Sequence, residues 1–459
     1  MEGEALPSAL YREKMKILQV SHGLPPKENA GVELYTHSLS KALSDLNHQV
    51  HIFCREEDPK KEEFSSSDEE TDGIRVTRVV NNLTRVPDAR VFYDNHFFDR
   101  IFLEILRTWK PDLVHFQHIF GLSAHLVWIA KGEGVPVVFT LHDFFILCHR
   151  IQLLRGDHCL CPGPLYGLEC VSCLDSVSSP RDLRPRLFLK MKNFFPFPIV
   201  KWTKRFFIPP KYLFDRGYEA FHRYRYMYEM FKLCDLILTP SQYVKNFFLK
   251  YYPSFESKIT ALPLGIPPLK GQRQIKTSNG KMRFCYFGNI VPIKGLHVLI
   301  EAFKTLPRER ASLTIYGSRT PWTENYYDRL KQEASGFAVD FRGAFRREGL
   351  AEALSDQDVF ILPSIWPETF SIVIREANSL GLPVIASRIG AIPEAVDEGV
   401  NGLLFEPRNA EDLRRCMLQF IESPRLVQEM ALKMPKPKSM TEHVVELLEI
   451  YQGIVGKKG

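Results

Sequence analysis

Glu368 and Glu376, separated by seven residues, sit in segment 358–394, DVFILPSIWPETFSIVIREANSLGLPVIASRIGAIPE. The apolar run from Asp358 to Pro363 suits a buried strand of a parallel sheet. A loop of Ser364 to Phe370 follows, and Ser371 is placed to cap a helix carrying Ile372, Val373, Ala377 and Leu380 at helical spacing, closed by Gly381. Pro383 to Ala386 reads as the next strand. Such a helix start leaves the N–H groups of Phe370, Ser371 and Ile372 unpaired, which makes a seat for a phosphate with a carboxylate on either side. A second candidate is Met282 to Gly295, a strand opening into a loop with Gly288, Asn289 and Lys294. A cation there can offset charge growing on a leaving phosphate. A third set is His118 and His142, each following a strand-like run (Asp112 to His118, Val135 to Leu141), with Asp143 beside His142.

These residues need a frame, and the rest of the sequence supplies an α/β one. A chain of 459 residues exceeds a single core and fits two domains of about 200 residues. Its 45% apolar and 25% charged content is that of an ordinary globular protein. Met15 to Val20 reads as a strand, followed by a loop and a helix that starts at Ala30-Gly31. Val50 to Phe53 and Ile74 to Val76 continue the strands, and polar residues 57–72 between them read as a surface loop. Ser241 is placed to cap a helix, and Ile259 to Ile266 reads as the last strand of a first domain. The expected division is a tail at 1–14, a Rossmann-like domain at 15–266, a linker at 267–281 and a second Rossmann-like domain at 282–459. No GxGxxG or Walker A pattern occurs, which argues against a dinucleotide oxidoreductase or a P-loop enzyme. The run Leu113 to Ala130 contains three His and a Gln and splits better into strand, loop and helix than into a membrane span. An acidic, polar start unlike a secretory signal gives a cytoplasmic expectation.

Taken together, Pro-Glu-Thr-Phe-Ser after a buried strand, Glu376-Ala377 and Gly-Leu-Pro-Val-Ile-Ala-Ser resemble the signature of retaining glycosyltransferases of the GT-B fold, in the family 4 group. The resemblance spans most of the chain. It implies two Rossmann-like domains facing across a cleft, the second holding a nucleotide diphosphate sugar and the first mainly an acceptor. It implies that Glu368 faces the donor sugar, Glu376 holds the ribose hydroxyls, Lys294 binds the diphosphate and His142 lies beside the transferred sugar. Gly31 matches the second glycine of a turn that contacts the diphosphate, and Ala30 replaces the first. Asn289 stands where members usually carry Arg, and Ala391 replaces the second glycine of a Gly-Gly-x-Pro-Glu turn beginning at Gly390. Gly317 ends a strand typical of the family, and His118 and Asp143 are expected to line the cleft. Such enzymes need no catalytic metal.

Two segments fall outside that pattern. Five of the nine cysteines lie within 26 residues, and Cys148, Cys161, Cys170 and Cys173 could close a structural zinc site, hold an iron–sulfur cluster or be reduced buried thiols. Residues 180–232 carry 13 Lys/Arg against 4 Asp/Glu, interleaved with aromatics. That mixture suits an anionic membrane surface. It equally suits a helical hairpin packing its aromatics on the first domain, while nucleic-acid binding finds no other support. The implied reaction is transfer of a sugar to a hydroxyl acceptor, a lipid-linked one in surface polysaccharide assembly fitting the basic segment. A nucleotide-sugar epimerase and a non-catalytic sugar-nucleotide scaffold are the alternatives.

Overall fold

The computed structural model describes residues 14–83, 89–155, 159–164, 170, 173, 210–267, 269, 280–317, 323–344 and 347–456. The chain divides into two compact units. Unit 1 is drawn from Met1–Thr239, Lys245–Ala261 and Val444–Gly459, and unit 2 from Pro240–Val244 and Leu262–His443.

Unit 1 is built on an eight-stranded sheet. Its strands are β1 (Lys16–Ser21), β2 (Gln49–Glu56), β3 (Ser66–Thr71), β4 (Ile74–Val80), β5 (Leu113–Phe116), β6 (Val137–Thr140), β7 (Leu236–Thr239) and β8 (Ile259–Ala261), ordered β3-β4-β2-β1-β5-β6-β7-β8. All neighbours are parallel except β3 and β4. Helices α1 (Gly31–Asp45), α2 (Asp99–Trp109), α3 (His125–Gly132), α4 (Pro210–Leu233) and α5 (Gln242–Tyr251) follow or connect these strands. The central strands are buried along their length, as near-continuous apolar runs require when helices cover both faces.

Unit 2 has β9 (Met282–Phe287), β10 (Ala311–Tyr316), β11 (Val339–Gly343), β12 (Val359–Leu362), β13 (Val384–Ser387) and β14 (Gly402–Phe405), all parallel in the order β11-β10-β9-β12-β13-β14. The helices are α6 (Leu296–Phe303), α7 (Glu324–Glu333), α8 (Leu350–Ala353), α9 (Ile372–Ser379), α10 (Ala410–Glu422), α11 (Arg425–Ala431) and α12 (Met440–Val455), the last straddling the two units. This is the doubly wound arrangement, with strand order reversing between β9 and β12. Arg283 grips Asp358 bidentately across that reversal, at 2.9 and 2.7 Å.

Three expectations need correction. Residues 57–72 are not all loop, because Ser66–Thr71 forms the edge strand β3, antiparallel to β4. Its residues are polar and exposed, so backbone pairing holds it and no apolar alternation announces it. The strand expected over Ile259 to Ile266 stops at Ala261, ahead of Pro263, which cannot donate to a ladder. Ile266 instead bridges Ser439 within unit 2. Ser371 sits at the start of α9 but in the left-handed conformation, φ 59°, with no capping hydrogen bond from its side chain. Ser241 does cap, accepting from the Val244 N–H at 3.2 Å. The α12 start uses a reciprocal Ser439–Glu442 pair that the sequence reading passed over. The expected linker at 267–281 lies largely outside the described residues.

Candidate functional site

In unit 2 the strand ends at the order reversal are forced together by glycines. Gly295 has φ 73°, and a Cβ there would lie 1.8 Å from the Pro363 carbonyl oxygen. Only a residue without a side chain lets the loop after β9 lie on the end of β12, where the Ile365 N–H reaches the Ile293 carbonyl at 2.9 Å. That approach carries Lys294 to Glu368, Nζ to Oε1 2.6 Å. The same Oε1 accepts from the Ser364 hydroxyl at 2.7 Å and the Trp366 indole at 2.9 Å. Lys294 also stands 5.4 Å over the Trp366 ring. Three donors on one oxygen of a buried carboxylate fix its orientation, and the second oxygen remains for another partner.

The backbone of Glu368 is held as firmly. Gly390, φ 63°, abuts it so closely that a Cβ would lie 2.4 Å from the Glu368 carbonyl oxygen and 2.5 Å from its nitrogen. The Ala391 N–H donates to that carbonyl at 2.7 Å. Gly317 and Gly288 meet similarly, since a Cβ on Gly317 would fall 2.2 Å from the Gly288 carbonyl oxygen. Asn289 is exposed, and its carbonyl accepts from the Tyr286 hydroxyl at 2.7 Å.

At the start of α9 the Ser371 hydroxyl is buried without a hydrogen-bond partner. An orphaned hydroxyl beside free helix N–H groups fits an anionic ligand. Phe370 is buried under the Arg375 guanidinium, 3.6 Å from the ring, and burial lowers the Arg375 pKa to about 10. Glu376 is buried one turn into the helix with Arg347 as its ion-pair partner at 2.7 Å. Burial raises the Glu376 pKa above its ordinary value, with the Arg347 charge opposing.

Unit 1 gathers its own set at the ends of β1, β5 and β6. His142 Nε2 meets Gln117 Oε1 at 2.7 Å, and the Gln117 amide donates onward to Gln19 at 2.9 Å. The Gln117 oxygen therefore faces the imidazole, which places the ring proton of His142 on Nε2. Beside it, His118 Nε2 meets Asp143 Oδ2 at 3.0 Å. The His22 ring lies 4.3 Å from that of His118 and pairs with Glu33 on α1 at 3.0 Å. Burial resists a charge on Asp143, yet the partnership with His118 outweighs it and the carboxyl stays below its ordinary range. Burial, then His118, push His22 downward. Gly31 is the exposed first residue of α1, without a side-chain cap before it.

Sequence reasoning did not single out His22, Glu33, Gln117, Ser364, Trp366 or Arg347 for the sites. His22 and Gln117 directly follow strands, and that position was the available signal. Cys148 is buried and Cys161, Cys170 and Cys173 are half-buried. Burial, with Cys148 adding, pushes Cys170 up to about 12. Cys148, Cys161 and Cys173 all act on Cys170 electrostatically, so the four thiols share one region of unit 1. Of the basic segment, residues 180–209 lie outside the described residues. Helix α4 packs Ala220, Arg223, Tyr224, Met227, Met230 and Phe231 into unit 1. Arg223 is buried against the Phe145 and Ile146 carbonyls and the rings of Tyr93 and Phe145. Between residues 218 and 233, α4 thus buries one face in unit 1 and leaves Tyr218 and Phe221 exposed.

Comparison with known proteins agrees with this architecture. Residues 29–163 match the model of Glycosyltransferase Family 4, and residues 270–436 match that of Glycosyl transferases group 1. A glycogen synthase of Mycobacterium tuberculosis is 24% identical over 439 residues, 91% of this chain and 88% of that protein. Among solved structures, a sucrose-phosphate synthase from Thermosynechococcus elongatus superposes with a TM-score of 0.63 at 18% identity, covering 97% of this chain and 98% of that one. Anabaena HepE, solved with UDP and glucose, gives 0.59 at 17%, covering 95% and 99%. The fold is GT-B, with two parallel-sheet α/β domains, and the two matched segments support a glycosyltransferase of the family 4 type.

Proposed function

We propose that this chain transfers a hexosyl group from a nucleotide diphosphate sugar to a hydroxyl acceptor, with retention at the anomeric carbon. The observation that carries the reading is the Lys294–Glu368 pair at the β9/β12 reversal, beside the unpartnered Ser371 hydroxyl and the start of α9. Lys294 and the N–H groups of Phe370, Ser371 and Ile372 take the diphosphate and stabilise the charge that develops on it as the sugar leaves. The Glu368 oxygen not engaged by Lys294, Ser364 and Trp366 accepts from sugar hydroxyls. Glu376 accepts from the ribose hydroxyls in place of Arg347 or beside it. Gly288, Asn289 and Gly317 bring backbone close to the nucleotide, and Gly31 serves the diphosphate from the loop after β1. Within unit 1, His142 goes to the transferred sugar, and His118 with Asp143 to the acceptor. The acceptor hydroxyl attacks on the face from which the phosphate departs, so no covalent carboxylate intermediate is invoked.

The basic, aromatic residues 180–232 and the exposed Tyr218 and Phe221 of α4 favour an acceptor delivered at an anionic membrane surface, lipid-linked as in surface polysaccharide assembly. The testing experiment measures UDP or GDP release from a panel of nucleotide sugars, wild type beside Glu368→Ala. Release that requires Glu368 is expected and names the donor. Tight nucleotide-sugar binding without turnover, with lipid acceptors supplied, would refute transfer and favour the scaffold reading that Asn289 in an Arg position suggests. Interconversion of the free nucleotide sugar would favour an epimerase.

A further inference from the structure

Among the described residues, one set of side chains brings metal-type donor atoms within 4.8 Å of one another: His96, Asp99 and His125. It lies in unit 1 and includes none of the residues assigned to transfer. His96 is in the turn before α2, Asp99 opens α2 and His125 opens α3. Both imidazoles aim Nδ1 at the same atom, Asp99 Oδ2, from 2.7 Å for His96 and 2.9 Å for His125. The other carboxylate oxygen, Oδ1, is buried with no hydrogen-bond partner. On its far side the His96 ring presents Nε2 to Asp94 Oδ1 at 3.3 Å, and the Tyr226 hydroxyl donates to that same oxygen at 2.9 Å.

We propose that His96, Asp99 and His125 form a binding site for a divalent transition metal of the zinc type. Two imidazoles and one carboxylate are a borderline donor set, unlike the all-oxygen sets of calcium and magnesium. Metal–ligand bonds of about 2.0–2.1 Å in tetrahedral array separate donors by about 3.3 Å. The two nitrogen–oxygen separations, 2.7 and 2.9 Å, therefore need to open by only about half an ångström. A metal on Nδ1 leaves the ring proton of each histidine on Nε2. For His96 that proton then points at Asp94, which supplies the outer carboxylate that orients a metal-bound histidine.

The backbone is arranged to hold the ligands in place. The Ser123 hydroxyl accepts from the N–H groups of both Asn95 and His125, each at 3.1 Å. The Asn95 side chain accepts from the Phe97 N–H at 3.2 Å and so sets the turn bearing His96. The Tyr93 carbonyl accepts from the Ala124 N–H at 2.7 Å, and the Phe92 carbonyl from the Gly121 N–H at 3.1 Å. A bound ion would thus clip segment 92–99 to the loop that runs from His118 to α3.

The test uses full-length, chelator-stripped protein titrated with Co2+ and then Zn2+. Cobalt held by nitrogen and oxygen shows d–d absorption without a thiolate charge-transfer band. The expected result is one equivalent with that spectrum, displaced by Zn2+. Binding should be lost in His125→Ala and weakened about 10–100-fold in Asp94→Asn, which leaves the three ligands intact. His125→Gln, with circular dichroism on each variant, separates lost ligation from lost folding. Absence of saturable binding overturns the proposal, as does binding unchanged by both His125 variants. A thiolate band that persists in those variants would put the metal on the cysteines instead.

Discussion

Replacing Gly390 by Ala tests whether Glu368 is positioned by backbone contact. The added Cβ would lie 2.4 Å from the Glu368 carbonyl oxygen, against about 3.4 Å for an ordinary contact, so that carbonyl must retreat by about 1 Å. Glu368 Oε1 cannot move so far and keep its contacts at 2.6 Å to Lys294, 2.7 Å to Ser364 and 2.9 Å to Trp366. A displacement of that size at a reacting centre lowers the rate by about 10²-fold. Left-handed backbone adds a penalty of about 1–2 kcal/mol for any residue with a Cβ. Gly399 provides the control, with φ 80° and nothing within 4 Å of a Cβ placed on it. Gly399→Ala carries the same conformational penalty without the collision. Nucleotide release should therefore fall about 100-fold in Gly390→Ala and stay near wild type in Gly399→Ala, with both slightly less heat-stable. Equal activity in the two variants would refute the claim that Gly390 sets the position of Glu368.

Asp143 gives a pH signature in unit 1. Its folded pKa lies below the ordinary 3.8, so the stability it contributes is present above that value and is lost as pH falls through the folded one. Asp143→Asn should thus lower stability at pH 7 and lose that difference in strong acid, as followed by urea unfolding at each pH; a constant difference would contradict the assignment. Wild-type protein should sediment with anionic vesicles at low salt and be released as salt rises. Loss of that binding on deleting 180–209, with α4 retained, would place the contact there, and unchanged sedimentation would rule it out.

The donor-side frame was legible because buried parallel strands write themselves as apolar runs, and because glycines and Lys294 punctuate their carboxyl ends. Glu368 could be found from its neighbours in sequence. What holds it could not, since Lys294 is 74 residues away and the collision that requires Gly390 exists only once β12 and β13 are adjacent. The same applies to His22 with Glu33, and to Gln117 with His142, where the pairing depends on which strand ends the sheet order makes neighbours. Edge strand β3 escaped for the opposite reason, as its side chains face water and carry no periodic signal. In α4 the arginine count pointed to solvent or lipid, whereas Arg223 spends its charge on backbone carbonyls and rings inside unit 1.

Helix α12 has a consequence for synthesis on the ribosome. Tyr451 is fully buried in unit 1, its hydroxyl 2.5 Å from His115 Nδ1 on β5, although 182 residues separate Ala261 from Val444 in the chain. At about 5–20 residues per second, the sheet carrying His115 waits on the order of 10–40 s for that tyrosine to be made. Throughout that interval a nascent unit 1 presents the apolar seat of α12 to its surroundings. Chaperone capture should therefore peak on chains stalled between Ala261 and Val444 and fall away once Tyr451 has cleared the exit tunnel.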